Sequence, residues 1–352
     1  MSSVFENLRS VARNLFESSP PALRPAIVAG RSCPLSYRYS PSVFARSAQV
    51  TAETIYVIGG VYGNTFALDT ILELARQEAV APTLIFNGDF NWFNIDRESF
   101  SAINGEVLKH VALRGNVETE LGNVGTELGN DLGDAGCGCA YPDYVDDADV
   151  ERSNQIMRRL KETATAFPVI RRELAGLPMQ LVASVGGRRY GIVHGDAESL
   201  SGWRFAHDSL HEPANTQWLH QVCLAANLDG FASSHNCLPA FRRFRDEDRT
   251  HFVINNGAAG MPNFSHTQYG LISRLSVHAP REGLAQYGDV INGVYIDAIP
   301  VHYDSAAFER SFLANWDEGS AAHHSYFKRI ANGPAYAAPH ALGLVRAPSV
   351  CA

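Results

Sequence analysis

Four side chains in this sequence could jointly hold a metal ion. Asp89, Asn116, His194 and His235 offer one carboxylate, one amide oxygen and two imidazoles. Each lies at or just past the end of a short apolar run: 84–86 before Asn-Gly-Asp, 111–113 before Arg-Gly-Asn, 190–193 before His-Gly-Asp, and 231–234 before His-Asn-Cys. Divalent Mn, Fe and Zn accept such a mixed nitrogen and oxygen set. A lone histidine after a strand is ordinarily a hydrogen-bonded turn residue. Four suitable donors in four suitable loops make metal ligation the better reading.

The elements that must position them are strands. Short apolar runs bounded by turn residues read as buried parallel strands. Two further runs fit the pattern, 55–58 before Gly59-Gly60 and 252–254 before Asn255-Asn256-Gly257. Ligands of open α/β sheets sit outside the carboxyl ends of the strands, so six such ends in series point to one site on one sheet edge. Helices are expected over 66–76, 150–166, with Pro168 as its stop, and 212–228. A hairpin is expected around Gly186-Gly187, and late strands over 270–277 and 293–303. The glycines at 59, 60 and 63 match a dinucleotide-binding turn only loosely, with no acidic residue in a following βαβ unit to support it.

Composition narrows the function classes. A net charge of −8 argues against sequence-independent nucleic-acid binding, which needs a basic face. A phosphorylated small molecule stays compatible, because a bound cation can supply local positive field. No apolar run approaches the roughly 20 residues of a membrane span. The first residues carry Glu6 and Arg9 within their apolar pattern, unlike a signal peptide. Six cysteines without a regular framework fit a reducing cytoplasm. Cys137 and Cys139 read as unpaired loop cysteines, since C-x-C without a second pair is a weak zinc signal.

In order and spacing these loops resemble the calcineurin-like metallophosphoesterases, in particular their small phosphodiesterase branch, over roughly residues 55–304. The motifs that carry the resemblance are Gly60-Val61-Tyr62, Gly88-Asp89, Gly115-Asn116, His194-Gly195, Ser234-His235-Asn236-Cys237 and the Asn-Asn-Gly-Ala-Ala-Gly-Met-Pro stretch at 255–262. Val117 follows Gly-Asn where many members have histidine. The resemblance implies a four-layer α/β/β/α sandwich and two metal ions. One ion would be held by Asp89, Asn116, His194 and His235. The other would take its ligands from the positions of Gly60, Tyr62, Asp89 and Cys237, where three of four family ligands are replaced.

The resemblance therefore implies a metal-dependent hydrolase of a small phosphomonoester or phosphodiester, with a degenerate dinuclear site. One transition metal per chain (Mn, Fe or Zn) is favoured over two. Asp89, Asn116 and His194 would act in catalysis, and Asn64 and Asn91 would contact substrate. Tyr62 and Cys237 either fill the vacated half by packing or, once deprotonated, ligate iron or zinc. Two other readings stay open: a non-hydrolytic relative that binds a metal or phosphorylated ligand, and an iron-dependent enzyme of different chemistry. The expected organisation is an N-terminal helix and irregular arm (1–50), a metallophosphoesterase-like domain (51–304) and a C-terminal helical tail (305–352). A Gly-rich insertion at 121–140 reads as a mobile lid beside the site.

Overall fold

The computed structural model describes residues 27–123, 134–246 and 249–346. The expected helix over 3–18 lies outside the described residues. Among the described residues, twelve strands form two six-stranded sheets. The first sheet runs β1 (Val50–Thr51), β5 (Gln180–Val185), β6 (Arg188–Val193), β7 (Gly230–Ser233), β9 (Thr250–Asn256), β8 (Pro239–Arg245). The second runs β11 (Tyr287–Ile291), β12 (Val294–Val301), β10 (Gly270–Ser276), β2 (Thr54–Ile58), β3 (Thr83–Asn87), β4 (Val111–Leu113).

Strand alternation decides how the sheets stack. On β2, Ile55 and Val57 point into a core shared with Ile192, Ala232 and Ile254 of the opposite sheet. Tyr56 and Ile58 point the other way, toward α1 (Thr65–Arg76), α2 (Arg97–Val107) and α4 (Asp147–Ala164). Burial on both faces explains why these runs are apolar throughout rather than alternating. The first sheet packs its outer face, through Val182, Val193, Phe231 and Val253, on α6 (Thr216–Ala226) and on Phe44 of the N-terminal arm. The result is a four-layer α/β/β/α sandwich, as the sequence implies.

All six expected strand ends are present. β2, β3 and β4 are mutually parallel, as are β6, β7 and β9. The hairpin β5–β6 turns at Gly186 and Gly187, both with positive φ. Three expectations are corrected. Helix α3 (Asn116–Gly122) begins inside the Gly-Asn motif, where a loop was expected. Pro168 does more than stop a helix, since it opens α5 (Pro168–Gly176) from its first turn, where its missing N–H costs nothing. The tail is broken rather than continuous: α7 (Ser305–Asn315) ends before Gly319 (φ 87°), and helix resumes over 321–332, where a π-helical stretch (His323–Phe327) runs into Lys328–Asn332. It packs into the core: the Trp316 indole donates to the Phe93 carbonyl (3.0 Å), and Phe312 meets Phe93 edge-on.

A buried ion-pair ladder ties the second sheet together. Arg274 on β10, fully buried, faces Tyr56 on β2 and Asp297 on β12 in register. Its guanidinium donates to Asp297 (3.0 Å) and to Glu78 (2.6 Å), and the Tyr56 hydroxyl also donates to Glu78 (2.7 Å). Removing one partner of such a set strands buried charge. Arg274→Ala should therefore lower unfolding free energy by about 3–5 kcal/mol in urea titration, more than an exposed arginine replacement could.

Candidate metal centre

Two glycines let the loops after β3 and β4 close on one another. Gly88 and Asp89 both adopt positive φ (83° and 54°), which turns the chain sharply past Asn87. A Cβ on Gly88 would stand 2.6 Å from the Gly115 nitrogen, and one on Gly115 would stand 2.3 Å from Asp89 Oδ1. Only glycine permits that approach. It brings the Asp89 carboxylate and the Asn116 amide into one space, and β6 and β7 deliver His194 and His235 to the same space from the other sheet.

Four lone-pair atoms converge there. His194 Nε2 lies 3.1 Å from Asn116 Oδ1, 3.3 Å from Asp89 Oδ2 and 3.1 Å from His235 Nδ1. The ligand atoms of Asp89, His194 and His235 all fall within 4.8 Å of one another. Backbone carbonyls fix the tautomers. His194 Nδ1 lies 2.9 Å from the Asn87 carbonyl, and His235 Nε2 lies 3.1 Å from the Cys139 carbonyl. Carbonyls only accept, so those nitrogens carry the protons and the facing nitrogens keep their lone pairs. Asn116 is oriented likewise, its Nδ2 donating to the Cys137 carbonyl (2.9 Å) and its oxygen turned inward. Four acceptors turned toward one another repel unless a cation sits among them.

In the metal-free chain a proton on His194 can take that role. Burial opposes it, but the Asp89 carboxylate outweighs burial and raises the His194 pKa. Burial and the neighbouring His194 charge hold His235 down at about 3, so it is neutral at pH 7. Asp89 is likewise kept below its ordinary value: burial would raise it, and His194 lowers it further than that.

A second buried carboxylate shapes the site. Glu118, with no solvent exposure, accepts from the backbone N–H groups of Asp89 (2.7 Å), Phe90 (3.1 Å) and Gly115 (3.0 Å). It thus fixes both the Gly-Asp and Gly-Asn loops. Burial, then the Asp89 charge, raises its pKa to about 7. Sequence reading assigned Glu118 no role. The available signal was its place three residues past the Gly115 cap, a capping-box position.

The other half of the expected dinuclear site is filled by side chains. A Cβ on Gly60 would meet the Tyr62 ring at 2.8 Å, and the Tyr62 hydroxyl lies 2.9 Å from Cys237 Sγ. Burial raises the pKa of both groups, so neither is an anion near pH 7. In the metal-free chain the two groups close this space by packing and a hydrogen bond. Above the ligands a cavity of about 30 Å³ is lined by Tyr62, Trp92, Tyr141, Trp203, Tyr326 and Cys237 beside Asp89, Asn116 and His235. No lysine or arginine lines it.

Two further expectations change, and a third lies partly outside the described residues. Asn64 and Asn91, expected at substrate, are fully buried. Asn64 caps α1 through the Ala67 N–H (3.0 Å) and donates to the Gly260 carbonyl (2.9 Å). Asn91 is engaged by Asn104 (2.9 Å). Neither lines the cavity beside Asp89. The lid expected over 121–140 falls partly on 124–133, outside the described residues. Its described end, 135–139, is buried and forms a wall of the site. There Cys137 and Cys139 pair as a disulfide, where unpaired cysteines were expected.

No family model matches the sequence, and no curated protein sequence matches it. Solved structures do. A metallophosphoesterase from Sphaerobacter thermophilus matches 80% of this chain and 99% of its own, with a TM-score of 0.50 and 14% identity. A hypothetical protein from Pyrococcus horikoshii matches the same shares, with a TM-score of 0.49 and 13% identity. The fold of this chain is thus an α/β sandwich of the metallophosphoesterase type.

Glu118→Gln tests the loop clamp. Its NH2 group would confront N–H donors in place of a carboxylate oxygen. Metal affinity should fall by about 10–100-fold, the usual loss when support behind a metal ligand is removed. Titration with Mn²⁺ beside a melting curve checks this, and an unchanged affinity would exclude the clamp role.

Proposed function

We propose that this chain is a metal-dependent phosphoesterase that hydrolyses a small phosphomonoester or phosphodiester around one strong metal site. One observation carries the reading: Asp89 Oδ2, Asn116 Oδ1, His194 Nε2 and His235 Nδ1 turn inward on one another, a mixed nitrogen and oxygen set that suits Mn, Fe or Zn. A divalent ion held there would supply Lewis-acid neutralisation of a phosphate oxygen and acidify water. The name of one structural neighbour, a metallophosphoesterase, supports the same chemistry.

The protein's own groups do the rest. Asp89 is held by the Val117 N–H at Oδ1 (3.2 Å), leaving Oδ2 toward the ion. Trp92, Tyr141, Trp203 and Tyr326 supply the aromatic walls against which a small substrate would lie beside the ion. With no cationic side chain lining the cavity, phosphate charge must be met by the ion. Val117 offers no proton to a leaving group, which favours esters whose leaving groups depart unaided, and slow turnover on others. A cytoplasmic location is part of the proposal, on composition alone. Among the described residues, no helix is long and apolar enough to cross a membrane.

Metal analysis after chelator-free purification should find about one transition ion per chain, and aryl phosphodiester hydrolysis should require it. His235→Ala should remove most of the ion and the activity together. Affinity should rise with pH through the titration of His194, because the ion and the proton compete for Nε2. A chain that takes up no Mn²⁺, Fe²⁺ or Zn²⁺ at any pH would overturn the proposal.

A further inference from the structure

The loop from Gly136 to Cys139 is tied to the metal ligands in a way the hydrolytic reading does not use. Its three last carbonyls are all engaged. The Cys137 carbonyl accepts from Asn116 Nδ2 (2.9 Å). The Gly138 carbonyl accepts from the Ser201 hydroxyl (2.7 Å). The Cys139 carbonyl accepts from both His235 Nε2 (3.1 Å) and the Trp203 indole (3.0 Å). Two of the four ligands are thus aimed by this loop. An amide can flip and an imidazole can rotate, so the loop's own rigidity sets how much ordering each must undergo when an ion arrives.

The loop turns through backbone conformations that glycine favours. Gly136, Gly138 and Ala140 sit at φ 66°, 66° and 51°, and glycine is the residue with most freedom to leave such a conformation. Close neighbours hold it: the Asn154 side chain accepts from the Cys137 N–H (3.0 Å), and a Cβ on Gly138 would stand 2.5 Å from the Tyr37 hydroxyl. The covalent closure is the Cys137–Cys139 disulfide, whose span contains Gly138 alone. Cys139 also lines the cavity.

We propose that the Cys137–Cys139 pair is a redox-dependent positioning element for the metal centre: the disulfide holds the Cys137 and Cys139 carbonyls against Asn116 and His235, and reduction weakens metal binding. This rests on the metal-site reading above. In the reduction, a dithiol reductant passes two electrons and two protons to the pair. The S–S bond breaks, two thiols form, and the reductant leaves as its own disulfide. Opening restores freedom to Gly138, and both ligands lose their fixed acceptors. Coupling of this kind is reciprocal, so the ion must in turn favour the disulfide.

The test uses the full chain in two forms: oxidised with diamide, and reduced with dithiothreitol then desalted without air. Thiol labelling of Cys137 and Cys139 verifies each state. Free Mn²⁺ is counted by its paramagnetic resonance signal. The oxidised form should bind Mn²⁺ about tenfold more tightly, the lower end of the effect seen when support behind a ligand is lost. Saturating Mn²⁺ should then lower the reduction potential of the pair by about 30 mV, the equivalent of tenfold for a two-electron couple. A Cys137→Ser/Cys139→Ser variant should bind like the reduced form and ignore reductant. Equal affinities, tighter binding by the dithiol, a potential indifferent to Mn²⁺, or a variant that matches the oxidised form would each overturn the proposal and leave the metal site standing. Absence of Mn²⁺ binding in both states would overturn both.

Discussion

Buried negative charge without a matching cation is the constraint on which this structure depends. Asp89 and Glu118 lie in the same protein interior, and among the described residues neither is paired with a lysine or arginine. Two buried carboxylates in one site oppose each other's ionisation. Glu118 is accommodated by backbone N–H groups, and Asp89 by His194 or by an ion. Around that requirement the glycines at 88 and 115, the strained turn at Asp89 and the meeting of two sheet edges all become intelligible. They bring the acceptors close enough for one cation to satisfy them together.

The space beside Gly60, where the sequence resemblance implies a second half-site, follows a different logic. Gly60 has no side chain and so offers no carboxylate to balance an ion there. Tyr62 then turns over Gly60 and bonds Cys237, so the space is closed by a neutral pair rather than left as a polar void. Unpaired polar space in an interior is costly, and a tyrosine with a thiol partner removes it. The same ring helps to build the aromatic enclosure over the surviving ligands. The filling of the space at Gly60 and the enclosure of the acceptor cluster are thus linked through Tyr62.

Much of this was legible before any coordinates. The six strand ends could be read because doubly buried strands are apolar throughout and stop at Gly-rich turns, and the ligands stand directly after them. What escaped reading depended on context. Strand β8 mixes Phe241 and Phe244 with three arginines because it is an edge strand, half exposed, and begins at a proline. Helix α3 was hidden because its start coincides with a ligand motif. Asn64 and Asn91 were read as polar groups near a site, yet their amides are spent inside the fold on a helix cap and on Asn104. The Cys137–Cys139 pairing depends on left-handed turns at Gly136 and Gly138, which a C-x-C spacing does not specify.

The central claim is a single ion held by two imidazoles and two oxygen ligands, with no partner ion and no sulfur. X-ray absorption at the metal edge of the zinc-loaded chain addresses it directly. The account predicts nitrogen and oxygen scatterers at about 2.0–2.2 Å, with the outer-shell pattern of two histidines. A metal–metal distance of about 3.5–4 Å would contradict it by showing an intact dinuclear site. A sulfur scatterer at about 2.3 Å would contradict it by bringing Cys139 or Cys237 into the coordination sphere.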